Sequence, residues 1–534
     1  MKTMKKMLAL LLCAVLILGM FAGCGNTTNQ EETKGSDSAG TTAKKSITVG
    51  YPASLESIGP FITSNSIYKM VMGIFYMQLG SLNLDGELES NLYSSVEETS
   101  DGHYVVKLYE NIYDTAGNHI TAHDVAFSYN TAKSMGTSQT YNMYTNATAT
   151  SDYTFEFDMT TNALLAFEGV MSQVNIVDEE AYVNSGDEMN TGTAVSCGPY
   201  KIAEFVPGSH ITFQKVDNFW CEDMSLMSCD KQANIDEITI KCITENAQLA
   251  IALNEGSIDA AVSIPGLTAQ TFEGNSAFNV SSVPSNRYYG LYFDMREGHI
   301  FENEDLRKAV CYAVDQEEVM YGALQGFGII NKGHGSQNGA DYNKAWNERN
   351  YYDTDLEKAA EYMKKAGYEP GELNITLMCQ WEQTKPAAEV VQQNLAAIGI
   401  NAEILCPDQA LFSSYQDCTS DVWDLNLMFW VTGIYVGAGY TGQLDLDNRS
   451  NDMLFFGLKD QNLQALVKVA TNPDTHSQES VDAVQAYLDE HALVYDLYSP
   501  YNYYVYDSGI EQIFVNARDQ FLPNCFTYSD SYGN

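Results

Sequence analysis

The sequence predicts an α/β protein of two or three lobes, and three observations lead there. The chain has 534 residues, more than a single hydrophobic core organises. An apolar strand at 375–378, a helix at 386–398 and a second strand at 399–404 form a strand–helix–strand unit, the building block of a mostly parallel sheet. A second such alternation lies upstream: Asp236-Glu237 leads into a strand at 238–243, followed by a helix at 246–254 that Gly256 terminates.

Composition narrows the class. Hydrophobic residues make up 45% and aromatics 12%, enough for packed cores and too much for a disordered chain. The net charge is −42 and the pI about 4.3, which exclude a nucleic-acid footprint and a basic face for anionic lipid. Such a charge solubilises the surface and attracts cationic ligands weakly at long range. Tyrosine, at 35 residues against five tryptophans, gives rings that are apolar on the body and polar at the tip.

The N-terminus sets the compartment. Lys2, Lys5 and Lys6 precede an apolar run at 7–20 that is short for a membrane span and suited to a secretory signal over 1–23. Phe21-Ala22-Gly23-Cys24 ends it, and residues 25–46 contain no Leu, Ile, Val or aromatic residue, so that 24–46 reads as a flexible tether. The remaining cysteines are odd in number once Cys13 and Cys24 are set aside, and no CxxC pair occurs. Cys221 and Cys229 flank a short loop and are the candidate pair for a disulfide.

Order begins with a strand at 47–51 that ends on Tyr51. A helix follows near 69–79, then a turn at Asp85-Gly86. Residues 103–109 and 153–159 alternate as strands. Between them Thr121 is placed to cap a helix with Asp124 at its third position. A helix at 355–366 stops at Gly367. Residues 425–431 form a buried apolar strand that runs into a segment of glycines and tyrosines, 432–442. Ligands of open α/β sheets collect beyond the carboxyl ends of strands, which makes Trp381 and the 432–440 segment candidate cleft residues.

Several motifs then line up. The run VVKLYENIYDTAGNHITAHDVAFSYNTAKSMG (105–136) carries a "T-A-x-D-V-x-F-S" helix. Gly198-Pro199-Tyr200, Asp217-Asn218-Phe219-Trp220, Gly256-Ser257-Ile258-Asp259, the run NEDLRKAVCYAVD (303–315) and Asn451-Asp452 follow in order. The chain thereby resembles, over 47–530, the peptide/nickel-type (family 5) extracellular solute-binding proteins of ABC importers, with Cys24 similar to the lipidated cysteine of a bacterial lipoprotein. The resemblance implies a bilobal, periplasmic-binding-protein-like fold of type II in its large form. The first lobe would take 47–285 with an extra subdomain at 81–195, the second 286–500, and 501–534 would return to the first. It implies a small-molecule ligand, an oligopeptide or alternatively an oligosaccharide or nickel chelate. It also implies delivery to a membrane permease driven by a separate ATPase. A tryptophan at the place of Trp430 lines the ligand cavity in that family, and peptide binders put an aspartate three residues later for the peptide's amino group. Here that position is Gly433.

The expected ligand-binding set is therefore Trp430, Thr432, Gly433, Tyr435, Tyr440, Trp381, Tyr51 and Asp294, with Asp294 or Asp445 as the compensating acid and Arg296, Arg307 and Arg449 as carboxylate partners. Tyr288, Tyr289 and Tyr292 read as mostly structural. No catalytic residue, cofactor or metal site is expected. Gly437 to Gly442 matches GxGxxG, but a dinucleotide fold needs a periodic helix after it. No GxxxxGK[ST] or GxSxG occurs, Asp445-x-Asp447-x-Arg449 begins like a calcium loop but fails at the third ligand and the turn glycine, and a helix start at Thr121 leaves His119 outside the helix that holds His123. The rival from another class is an extracytoplasmic hydrolase or a receptor-partner sensor.

Overall fold

The computed structural model describes residues 45–62, 66–187, 189–190, 192, 194–349, 351–416, 420–446, 457 and 459–529. The signal, Cys24, most of the tether, Arg449 and Asn451-Asp452 lie outside these residues.

The fold is bilobal. Its largest sheet runs Ile400–Leu405, Leu373–Cys379, Leu425–Val431, Arg287–Phe293, Val494–Asp507, Ala260–Ile264, Ser46–Tyr51, Glu237–Cys242, His210–Lys215, Tyr200–Val206. One element belongs to both halves. The 14-residue strand Val494–Asp507 pairs at its start with Arg287–Phe293 and at its end with Ala260–Ile264 and Phe278–Pro284. Pro500 sits where pairing passes from Gly328–Ile330 to Phe278–Pro284, and it has no N–H to give to either ladder. The chain crosses between lobes again at Ser285 and Asn286, and the Ser285 N–H donates to the Pro500 carbonyl at 2.9 Å, tying the two crossings together.

Each half has its own core. The first is built around Val49, Ile238, Ile240, Phe75 and Phe213, and the final segment packs back onto it through Ile510, Phe521, Leu522 and Phe526. The second is built around Leu291, Phe293, Val310, Leu377, Val391 and Leu427. In the second lobe the strand–helix–strand unit is Leu373–Cys379, Lys385–Ala397 and Ile400–Leu405, with parallel register from Leu373↔Ile400 to Met378↔Leu405. Gly399 closes its helix at φ +81°, and a side chain there would meet Pro370 at 2.5 Å.

A four-stranded antiparallel sheet, Tyr93–Ser100, His103–Leu108, Thr154–Asp158, Thr148–Ser151, carries the helix Ala122–Met135. Thr121 and Asp124 form the expected capping box, each satisfying a backbone donor of the other's turn. His119 lies outside that helix, its ring stacked on Tyr113 and its Nε2 on the Glu110 carbonyl at 2.9 Å.

Two expectations need correction. Cys221 and Cys229 are free thiols, not a pair, and the Cys525 thiol donates to the Cys229 carbonyl at 3.3 Å. Most of the glycine-rich segment after Leu425–Val431, which the sequence does not mark as helical, is a helix, Val436–Gln443. Propensity is overridden by tight packing: a side chain on Gly439 would meet Thr432 Cγ2 at 2.4 Å, and one on Gly437 the Ala470 carbonyl at 3.0 Å. The Asp341 carboxylate accepts from the Val436 and Gly437 N–H groups and so completes the helix start.

Candidate ligand cleft

A cavity of about 310 Å³ opens where the lobes meet. From the first lobe, helix Ser66–Phe75 presents Lys69, Met72 and Gly73 to it, the end of helix Ala166–Gln173 presents Ser172 and Gln173, and the turn Cys229–Lys231 presents Asp230 and Lys231. The C-terminal return contributes Asn516, Arg518 and Gln520. From the second lobe come Asn286, Val431 and Gly433.

Three cations and one carboxylate are among the lining residues. Lys231 is 2% exposed, and its Nζ donates to the carbonyls of Gly73 at 2.7 Å and Tyr76 at 3.2 Å. Burial pulls its pKa down, with Asp230 acting in the other direction. Arg518 donates through Nη1 to the Ser172 carbonyl at 3.2 Å and through Nη2 to Ser172 Oγ at 2.7 Å. Burial pushes its pKa down to about 10. Lys69 sits exposed on the rim, its ammonium shifted down by desolvation and then by the guanidinium groups of Arg518 and Arg287. Arg287 enters from the second lobe, its guanidinium 4.9 Å from the Phe429 ring centroid.

The sequence-predicted residues separate into three groups. Gly433 lines the cavity, and nothing lies within 4 Å of where a Cβ would stand. Thr432, Tyr435 and Tyr51 lie close by in supporting places. Thr432 is 1% exposed, and its Oγ1 accepts from the Ser336 N–H at 2.7 Å, which fixes the loop beside Asn286. Tyr435 touches the first lobe, its hydroxyl 3.5 Å from the Asp85 carbonyl. Tyr51 is buried at the end of its strand, and burial raises its hydroxyl pKa while Asp519 and Arg287 act on it from either side.

The rest lie outside the cavity lining. Trp430 does not line the cavity; it packs half-buried against the second core on the strand face opposite Val431, which is the residue that does. Trp381 lies at φ +66°, edge-on to Phe429 at 5.2 Å, beside a separate depression with Glu382, Cys406 and Asp408. Tyr440 is fully buried core, parallel to the His334 ring at 6.2 Å. Asp294 is occupied by Arg296 at 2.6 Å and His299 at 3.1 Å. Arg307 is structural, as Arg296 is. Lys69, Lys231, Arg518 and Val431 were missed: their positions span the chain, and no local pattern marks them.

The lobes touch outside the cavity. The Asp85-Gly86 turn meets the 434–435 segment, and the Leu164 N–H donates to the Thr471 carbonyl at 2.7 Å. Gly86 has φ +85°, and a Cβ on it would stand 2.5 Å from Ile434 Cγ2. Gly86→Val is therefore expected to strain the turn and push the lobes apart at that point, weakening ligand binding about tenfold while both cores persist. Calorimetric titration with an identified ligand measures this, and unchanged affinity would show that the contact does not couple to binding.

Among the described residues no group of three or more His, Cys, Asp or Glu is placed to hold a metal ion. The sequence model for bacterial extracellular solute-binding proteins, family 5 (middle region), matches residues 87–452. The chain is 23% identical to the dipeptide-binding protein DppE of Bacillus subtilis (strain 168) over 222 residues, 40% of this chain and 38% of that protein. It is 21% identical to the oligopeptide-binding protein OppA of the same organism over 405 residues, 70% of each. The chain thus spans well under half the length of the first relative. The ABC transporter substrate binding protein CtaP of Listeria monocytogenes shares the fold, with a TM-score of 0.75 at 20% identity, over 91% of this chain and 100% of that one. With a family match across more than half its length, on a bilobal frame whose cavity lies between the lobes, the chain belongs to the family 5 bacterial extracellular solute-binding proteins.

Proposed function

We propose that this protein is the substrate-binding component of an ABC importer and that it captures a peptide-like solute between its lobes. The observation that carries the reading is the cavity itself, lined from both lobes and reached at Asn286 by the crossing at Ser285-Asn286. A ligand contacted by both lobes binds the closed form more tightly than the open one, and that difference drives closure. The closed pair of lobes is then the surface a permease recognises, and a separate ATPase powers transport. The names of the relatives DppE and OppA favour a peptide. An oligosaccharide would call for aromatic platforms; Trp381, Trp430 and Tyr440 do not line the cavity, whose aromatic lining is Tyr68 and Tyr141.

In this reading residues 1–23 are a signal, Cys24 carries lipid, and 24–46 tether the lobes to the outer face of the membrane. The first lobe is 47–285 with its subdomain at 81–195, the second is 286–500, and 501–534 return. The protein binds and delivers without chemistry.

The test is a thermal-shift screen of the purified protein with short peptides, oligosaccharides and nickel chelates. A ligand that binds only the folded form stabilises it by ~2.7 kcal/mol at a hundredfold excess over Kd. A shift with peptides and none with sugars or chelates is expected. A shift with sugars alone would sink the peptide reading, and consumption of any hit would point to a hydrolase.

A further inference from the structure

The cavity is electrostatically opposite to the rest of the chain. The protein carries 28 Lys and Arg against 70 Asp and Glu, yet Lys69, Lys231 and Arg518 gather on one cavity wall with only Asp230 beside them. Asp230 itself accepts from Ser228 Oγ at 2.6 Å. Neither Lys69, Arg518 nor Arg287 has a carboxylate within 4.0 Å among the described residues. Asp519, an acid that interacts with Arg287 at longer range, is held by Asn502 Nδ2 at 2.7 Å and Ser285 Oγ at 3.4 Å.

A half-buried cation such as Arg518 is normally paired with a carboxylate, because desolvating an unpaired charge is costly, whereas Lys69 and Arg287 are exposed. Arg518 satisfies two N–H groups on Ser172, and among the described residues its others have no protein acceptor. Desolvation, and after it the guanidinium groups of Arg518 and Arg287, push the Lys69 pKa down. Like charges gathered this way in a cavity are stabilised when an anion enters. The second-lobe wall adds no compensating negative charge, since its contribution is Asn286, Val431 and Gly433.

We propose that the cleft selects anionic solutes, with a ligand carboxylate or comparable anionic group held between Lys69 and Arg518 of the first lobe and Arg287 arriving from the second as the lobes close. This rests on the solute-binding reading above and gives it a ligand class: an acidic peptide before a neutral or basic one. The overall negative charge slows encounter with such a ligand at long range, and the local cations provide the affinity. Planar guanidinium forks suit carboxylate geometry, which favours carboxylates as the group recognised.

The experiment is calorimetric titration of the whole protein with C-terminally amidated peptides of one length that differ only in side-chain charge: glutamate-rich, glutamine-rich and lysine-rich. The glutamate-rich peptide is expected to bind at least about tenfold more tightly than the lysine-rich one, with the preference shrinking as salt rises. Lys69→Gln should weaken the acidic peptide about fivefold and leave the neutral one within about twofold, and Lys69→Arg should restore it. Lys69 is exposed, so that variant folds even if Arg518→Gln does not. Equal or tighter binding of the lysine-rich peptide would overturn the proposal. If no peptide of any charge binds, the peptide reading fails separately, and the same protein is titrated with citrate and with a sugar phosphate. Binding of either that weakens in Lys69→Gln keeps the anion site, and no binding of either removes it.

Discussion

Arg307→Met lowers the stability of the second lobe by ~3–5 kcal/mol, the expected cost of stripping donors from several buried carbonyls at once. Arg307 is 4% exposed and lies in helix Glu304–Ala313. Its Nε donates to the Ala492 carbonyl at 3.0 Å, Nη2 to His491 at 2.8 Å, and Nη1 to Phe301 at 2.8 Å and Glu302 at 3.0 Å. One guanidinium thus joins the turn before the helix to the turn before the long shared strand. Methionine keeps the apolar stem and removes every donor, so the loss reports the hydrogen bonds and not a cavity. Arg307→Lys recovers only part, because a single ammonium cannot reach four carbonyls spread around a planar fork. Denaturant titration measures the change, and a loss below about 1 kcal/mol would mean that water replaces the guanidinium without cost. Ligand affinity of the folded variant should not change, since Arg307 is remote from the cavity lining.

Gly433→Asp is expected to weaken an anionic ligand by about tenfold or more, ~1.4 kcal/mol, while leaving the fold intact. No atom stands within 4 Å of the added Cβ, so the side chain enters open space on the cavity wall. The new carboxylate competes with the ligand for the field of Lys69 and Arg518 and repels the ligand's own negative group. Affinity for a solute with a free amine should rise correspondingly. Gly433→Asn has nearly the same size without the charge and should change either affinity by less than about threefold, which separates electrostatics from bulk. Titration of both variants with acidic and basic peptides decides it. Equal losses in Asp and Asn variants would leave a steric effect only.

How much was legible in the sequence depends on how far apart the interacting groups are. The capping box at Thr121 and Asp124 was readable because its whole chemistry spans three residues. The unit from Leu373 to Leu405 was readable because its period switches from strand to helix and back, with Gly399 at the turn. The helix Val436–Gln443 was not: glycines at 437 and 439 oppose a helix by propensity, and they are required only because Ala470, His476 and Thr432 approach so closely. The face assignment after Leu425 was missed by one residue. Alternation tells that Trp430 and Val431 point to opposite sides, and it cannot tell which side is the cleft. Asp294 looked available for a ligand because its partners, Arg296 and His299, become partners only when the following turn brings them back.

By itself the sequence determined the α/β class, the order of elements, the family resemblance and an acidic, well-solvated surface. Those follow from composition and from periodicities of two and 3.6 residues, which act over a single element. Only the tertiary structure decided where the cavity lies and what charge it has. Lys69, Lys231, Arg518 and Gly433 come from four separate parts of the chain, and an acidic average does not reveal a cationic pocket that long-range packing assembles.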